Sequence, residues 1–166
     1  MSKENLYSKE AIEKVRDLAK SIDFAMMITN LKKTPLHAIP MSTKKVDKEG
    51  NVWFLSSSES THNSNIRSSS DIYLIYSDKS SMEFLNIYGK AQILKDKSVL
   101  EDLYEKTDDA WFDGVEDPKL TAIKVVPRDV FYWDTKHNKL VSLFKMGLGA
   151  LTGDEPDLGK QGELKY

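Results

Sequence analysis

Residues 51–71 read NVWFLSSSESTHNSNIRSSSD, and this stretch predicts how the rest of the chain is organised. An apolar segment, residues 52–55, runs directly into a hydroxyl-rich segment, and nine of the fifteen residues from 56 to 70 are Ser or Thr. A second apolar run, residues 72–76, follows at once. Such serine density is also typical of flexible linkers. Two short β-rich flanks, however, indicate neighbouring strands of one sheet rather than separate cores.

The hydroxyl-rich segment predicts an anion-binding turn. A strand that opens into a Ser/Thr/Asn turn and then a short helix presents free backbone N–H groups together with hydroxyl donors. Ser60 or Thr61 is a suitable N-cap for a helix over residues 62–68. We therefore expect a phosphate-bearing ligand at this turn.

The composition predicts a single globular domain spanning residues 1–166, because this length and a hydrophobic content of 40% are enough for one sizeable core. The net charge of -2 provides no broad basic field, so nucleic acid is not expected as a partner. The absence of cysteine excludes disulfides, thiolate chemistry and cysteine-ligated metal sites. No apolar run has the length of a signal peptide core or a membrane span, so we expect a cytoplasmic protein without a membrane partner.

Residue periodicity predicts an α+β fold that is mainly β. Helical spacing of apolar residues indicates a helix over Ser8–Ile22, a second after Asp96 and a third helical face within residues 140–151. Six strands are expected, over residues 24–29, 35–42, 52–57, 72–77, 82–94 and 120–134, the last of them broken at Pro127. Without repeats or βαβ alternation, this order predicts a six-stranded antiparallel barrel with peripheral helices. The polar tail from about Asp154 is expected to be loosely ordered.

Two residues predict local features of the sheet. Pro40 lies near the end of its strand and removes a backbone donor, which favours an edge strand or a bulge. Gly89 lies in the middle of the longest strand, where a glycine indicates a sharp bend.

The three histidines do not form a metal-binding pattern, so no metal site is expected. His37 is interpreted as a half-buried strand residue and His137 as a turn residue. His62 lies inside the hydroxyl-rich segment, where both ligand contact and a structural role are open. A cluster of acidic residues does not match the calcium-loop spacing and is interpreted as a solvated surface; its members are Asp108, Asp109, Asp113, Glu116 and Asp117.

Large aromatic residues predict a covered surface. Trp111 and Phe112 stand in a loop bounded by glycine and proline, where they must pack on the domain itself, on a second protomer or on a flat ligand. Together with Tyr132 and Trp133 they favour a homodimer that buries them. The chain lacks the nucleophile-elbow, P-loop and dinucleotide-binding motifs. Chemistry is therefore expected from a bound cofactor, and no catalytic side chain is assigned.

Three groups of residues together resemble one family. They are PLHAIPM (35–41) with NVWFLSSSESTHNSNI (51–66), WFDGVEDP (111–118) and VVPRDVFYWD (125–134). This set resembles the pyridoxamine 5'-phosphate oxidase-like family of FMN-binding split-barrel proteins, in its general stress protein 26 branch. The resemblance extends over residues 12–153.

The resemblance implies a six-stranded split β-barrel that forms a homodimer, with FMN in the groove between protomers. The phosphate would lie at the turn after the third strand. Carried over by position, the implied cofactor-binding residues come from the second strand (Ile39, Pro40, Met41), the third strand (Leu55, Ser56, Ser57), the phosphate turn (Ser60, Thr61, His62, Asn63) and two aromatic positions, Trp111 near the ring and Trp133 at the dimer groove.

Two departures from the family pattern affect the expected phosphate site. Ile39 stands where many relatives carry Arg, and His62 stands where many carry Lys. Each lost charge-assisted contact would weaken binding by roughly 1.5–3 kcal/mol. Lys44, Lys45 and Arg67 are candidates to replace the missing charge.

The function implied by the resemblance is that of an FMN-dependent oxidoreductase acting on an unidentified small molecule. The alternative is a non-catalytic flavin- or ligand-binding stress module, and a third possibility is a dimeric scaffold that has lost its cofactor. The C-terminal basic residues with which true pyridoxamine phosphate oxidases hold their substrate are not recognisable here. Oxidation of pyridoxamine phosphate is therefore not expected.

Overall fold

The computed structural model describes residues 2–3, 6–135 and 159–165. In chain order the elements are β1 (Ser2–Lys3), β2 (Leu6–Tyr7), α1 (Ser8–Ile22), β3 (Phe24–Thr29), β4 (His37–Ser42), β5 (Lys45–Val46), β6 (Val52–Ser57), α2 (Thr61–Ser68), β7 (Asp71–Asp78), β8 (Glu83–Leu94), α3 (Lys97–Leu103), a 3-10 helix (Lys106–Ala110), β9 (Leu120–Thr135) and β10 (Gly159–Lys165). None of the helices in these residues is long and apolar enough to cross a membrane.

The strands form one sheet that is antiparallel except at the N-terminus. Strands β4, β3, β7, β8 and β9 are neighbours in that order. β9 is long enough to take two partners on its other edge, where β6 pairs with its first half and β10 with its second half. β5 extends the sheet beyond β6, and the two-residue strands β1 and β2 pair with β10 in parallel.

The sheet curls around one main core because alternate residues of its strands face the same side. α1 covers this core with an apolar face of Ala11, Val15, Leu18 and Ala19. The strands contribute fully buried side chains such as Met27, Phe54, Leu74, Ile87 and Val125. A second, smaller cluster lies under α3, where Leu100 and Leu103 pack with Leu120 and Ala122 of β9.

β9 continues through Pro127, so the expected break there is wrong. Gly89 of β8 pairs with Pro127 and Tyr88 pairs with Asp129, which leaves Arg128 as an extra residue in β9. A bulge of this kind tolerates a proline because the ladder of backbone hydrogen bonds is already interrupted. A Cβ atom on Gly89 would lie 2.6 Å from the Val126 carbonyl oxygen, so glycine is needed for the two strands to approach at the bulge.

The predicted fold class is confirmed as a mainly-β α+β fold with an antiparallel sheet and peripheral helices. β4 is an edge strand in the described part of the chain, as Pro40 predicts. Besides the six expected strands, the sheet contains the two-residue strands β1, β2 and β5 and the longer strand β10. Because Gly159–Lys165 forms β10, the tail is not uniformly loose as expected. This strand is polar, and it pairs with the second half of β9 through backbone hydrogen bonds that require no apolar pattern. His137 and the helical face expected within residues 140–151 lie outside the described residues.

Candidate functional site

A groove of about 480 Å³ lies between the edge strand β4, the end of β6, the start of α2 and the loop after the 3-10 helix. Its lining residues are Phe24, Ile39, Pro40, Met41, Ser42, Lys44, Leu55, Ser56, Ser57, Ser60, His62, Asp108, Trp111 and Phe112. The groove therefore joins the hydroxyl-rich turn to the loop that carries Trp111 and Phe112, here called the aromatic loop. About fifty residues of sequence separate these two segments.

One end of the groove is polar and is formed by the N-terminus of α2. Ser60 is the N-cap, as predicted, and its Oγ accepts a hydrogen bond from the Asn63 backbone N–H at 3.2 Å. The first backbone N–H groups of a helix lack helical partners and, with the helix dipole, attract an anion. The hydroxyl-bearing residues Ser57 and Ser60 line the groove at this end.

His62 adds a buried polar atom to this end of the groove. Its Nε2 atom is buried and has no hydrogen-bond partner in the part of the chain that the structure describes. Burial, with a smaller contribution from the nearby charge of His37, lowers the pKa of His62 from 6.5 to about 4. The imidazole is therefore neutral at pH 7, and its Nε2 is a buried polar atom that no described residue satisfies.

A buried hydrogen-bond network fixes the junction between β6 and α2. Ser56 Oγ donates to Asn63 Oδ1 at 2.9 Å, and Asn63 Nδ2 donates to Thr121 Oγ1 at 2.9 Å. Thr121 Oγ1 in turn donates to the Ser56 carbonyl at 2.8 Å. All three side chains are buried, so the network holds the start of α2 against β6 and β9.

The other end of the groove carries an ion pair beside the aromatic loop. Lys44 follows β4, and its backbone N–H donates to the Trp53 carbonyl at 2.8 Å. Ser57 lies four positions after Trp53 on β6, which corresponds to roughly 13 Å along an extended strand. Lys44 Nζ lies 2.9 Å from Glu105 Oε2 and 2.9 Å from Asp108 Oδ2. Burial alone would lower the pKa of Lys44, but these hydrogen bonds outweigh it and raise the pKa.

Nine of the twelve predicted cofactor-binding residues line this groove; they are Ile39, Pro40, Met41, Leu55, Ser56, Ser57, Ser60, His62 and Trp111. The other three lie elsewhere. Thr61 is exposed on the first turn of α2, and Asn63 is fully buried in the network described above. Trp133 lies in the second half of β9, opposite Phe84 and Gln161.

Several lining residues were not predicted as site residues. Phe24 and Ser42 belong to strands β3 and β4, and their place beside the groove depends on strand pairing, which composition does not reveal. Asp108 is not part of a solvated acidic surface, because its side chain is 15% exposed and pairs with Lys44. Tyr132 is fully buried in the main core, so its predicted place at a dimer interface is wrong.

The fold defines a class of curled, mainly antiparallel β proteins, and several solved structures share this fold. A putative general stress protein 26 from Jannaschia sp. CCS1 has a TM-score of 0.77 at 20% identity, covering 95% of this chain and 98% of its own. The general stress FMN/FAD binding protein from Xanthomonas citri has a TM-score of 0.66 at 22% identity, covering 79% and 93%. A protein from Clostridium acetobutylicum, related to general stress protein 26 of the pyridoxinephosphate oxidase family, has a TM-score of 0.64 at 21% identity, covering 76% and 90%.

The family model described as "Pyridoxamine 5'-phosphate oxidase like" matches residues 10–157, which is most of the chain. The chain therefore belongs to the pyridoxamine 5'-phosphate oxidase-like family. A search of curated proteins gives no match.

Proposed function

We propose that the chain binds FMN in this groove and acts as a flavin-dependent oxidoreductase on a small-molecule substrate still to be identified. The proposal rests on the difference between the two ends of the groove, of which one is polar and the other is apolar. An anion-binding helix N-terminus, with the unpartnered His62 Nε2 beside it, lies at one end. An apolar and aromatic wall that includes Met41 and Trp111 lies at the other. This arrangement suits a flat ring on a chain that ends in a phosphate.

The residues at the polar end fit a phosphate group. The first N–H groups of α2, the hydroxyls of Ser57 and Ser60 and the imidazole of His62 offer donors. Arg67 Nη2 donates to the Ser58 carbonyl at 3.1 Å, which holds a permanent cation against the same turn. We therefore propose Arg67 as the residue that offsets the charges missing at Ile39 and His62. Lys44 and Lys45 are less suitable, since both are paired with carboxylates.

The residues at the apolar end fit the isoalloxazine ring. Phe24, Met41 and Leu55 contribute apolar contact, and Trp111 presents a ring that is 82% exposed and available for stacking. Bound FMN would supply hydride and single-electron transfer. The side chains of the groove would bind the ring, orient it and exclude water from it.

We propose that the protein works as a homodimer, as the resemblance implies. The outer face of the sheet carries exposed apolar side chains on adjacent strands, and Met26 pairs across the ladder with Pro40 on one side and Ile75 on the other. Phe131 extends the same row through Asn86. Met26, Ile75 and Phe131 are 42%, 37% and 41% exposed. An exposed row of this kind, apolar except at Asn86, supports burial against a second copy.

The proposal is tested by titrating the protein with FMN and with riboflavin, which lacks the phosphate, and following flavin fluorescence. FMN should bind more tightly by roughly 10- to 100-fold, since each charge-assisted phosphate contact is worth about 1.5–3 kcal/mol. The variant Arg67→Gln should weaken FMN binding and leave riboflavin binding unchanged. Equal affinity for the two flavins, or binding of neither, would contradict the proposal.

A non-catalytic flavin-binding module is the second candidate, and one observation favours it. Of the described residues that line the apolar end, the charged ones are Lys44 and Asp108, which pair with each other. No free acid or base thus faces the ring there. Anaerobic mixing of the FMN-loaded protein with NADH and with NADPH separates the two functions. An oxidoreductase should reduce the bound flavin and lose its visible absorbance, whereas a non-catalytic module should keep that absorbance. Pyridoxamine phosphate should not be turned over with oxygen.

A further inference from the structure

Residues 105–112 form one wall of the groove and are organised around Asp108. The backbone N–H groups of Trp111 and Phe112 donate to the Asp108 carbonyl at 2.9 and 3.1 Å. The Asp108 carboxylate accepts from the Glu105 backbone N–H at 2.8 Å. These hydrogen bonds are local, so they shape the segment without attaching it to the sheet.

Phe112 packs against the smaller core cluster, and Lys44 attaches the segment to the sheet a second time, from a position 64 residues away. Its side chain is only 9% exposed, and Asp108 is 15% exposed. The neighbouring pair of Lys45 with Asp102 is 44% and 60% exposed, and neither residue lines the groove. Lys44 also pairs with Glu105, which is 70% exposed and does not line the groove. Of these three ion pairs, Lys44–Asp108 is therefore the shielded one, and both of its members line the groove.

We propose that the Lys44–Asp108 ion pair positions Trp111 and Phe112 as a wall of the groove and thereby sets the dissociation rate of the bound ligand. The identity of the ligand rests on the proposed function, whereas the positioning role does not. Exposed ion pairs stabilise little, but removing one member of a shielded pair leaves the other charge buried and unpaired. Such changes act mainly on dissociation rather than on association.

Two measurements on Lys44→Met test the proposal, with Lys45→Met as the matched control. Hydrogen–deuterium exchange of residues 106–112 in the flavin-free protein should become faster in Lys44→Met and remain unchanged in Lys45→Met. The FMN dissociation rate, measured by stopped flow as the change in flavin fluorescence when the loaded protein is diluted, should rise roughly tenfold in Lys44→Met only. Lys44→Arg keeps the charge and should restore most of the slow dissociation.

The two readouts separate failure of this inference from failure of the proposed function. The inference is overturned, even if FMN binds well, by either of two results in Lys44→Met. One is unchanged hydrogen–deuterium exchange of residues 106–112, and the other is faster exchange with an unchanged FMN dissociation rate. If FMN does not bind the wild type, the proposed function fails and the exchange result alone decides the positioning role.

If Lys44→Met does not fold, Asp108→Asn and Lys44→Gln/Asp108→Asn replace it. FMN should then dissociate from the double variant no faster than from Asp108→Asn alone. If the two substitutions raise the FMN dissociation rate independently, the inference is contradicted.

Discussion

The imidazole of His62 combines a buried Nε2 atom with a pKa lowered to about 4, mainly by burial and then by His37. In the unfolded chain the same group titrates near 6.5. Between these two values the unfolded chain takes up a proton that the folded protein does not. The stability contributed by neutral His62 is therefore present above pH 6.5, is lost as the pH falls, and changes no further below about pH 4.

We expect His62→Gln to reduce the loss of stability in acid. Between pH 7.5 and 4.5, wild type should lose about 1–2 kcal/mol more free energy of unfolding than the variant, a figure discounted for the partial exposure of the ring. Urea unfolding at both pH values measures the difference. His37→Gln is the control and should keep most of the acid sensitivity. If wild type and His62→Gln lose stability in parallel, His62 is not neutral in the folded protein at pH 4.5.

Single residues differ in how well the sequence predicts their place. Ser60 and His62 are recognisable because a cap and its following turn form a local pattern that needs no tertiary information. Lys44 and Asp108 are not, because 64 positions separate them and only the folded chain shows that they pair. The sequence predicts Asp108 as one of several solvated acids, whereas in the fold it is shielded and paired with Lys44.

The junction between β6 and α2 depends on Thr121 in a third element, β9. Thr121→Val keeps the shape of the side chain but leaves the buried Asn63 Nδ2 without its acceptor and removes the hydroxyl contacts to Ser56. We expect a loss of about 2–3 kcal/mol in the free energy of unfolding, because each unsatisfied buried group costs about 1–3 kcal/mol. Thr121→Ser retains the hydroxyl and should lose about 1 kcal/mol or less. Chemical denaturation of both variants measures the contrast, and equal losses would show that the hydroxyl contributes nothing.

Elements that bury one face against the core are predictable from sequence, and elements that only complete an edge are not. β6, β7 and β8 each bury alternate residues, and the sequence marks the first two as short apolar runs and β8 as an alternating segment. β10 reads GKQGELK and leaves no such pattern. Pro127 misleads for a related reason, since a bulge at Arg128 accommodates it and only the pairing of β8 with β9 reveals that bulge.

For the assembled protein, the apolar row through Met26 on the outer face of the sheet is the feature with the largest consequence. We expect Met26→Lys to weaken the proposed homodimer, because a charge at its centre would be buried without a partner. Sedimentation velocity should give a dimer for wild type at micromolar concentration and a smaller species for Met26→Lys. Glu49→Lys, an exposed change in the hairpin before β6, is the control and should leave the dimer intact. A wild-type monomer would refute the dimer.

A crystal structure of the protein grown with FMN tests the proposed orientation of the ligand in the groove. The phosphate should lie within hydrogen-bond distance of the first N–H groups of α2 and of His62 Nε2. The isoalloxazine ring should lie at the end of the groove near Lys44, between Met41 and the aromatic loop that carries Trp111. A flavin with its phosphate at the Lys44 end, a flavin bound outside this groove, or no flavin at saturating FMN would each contradict the account.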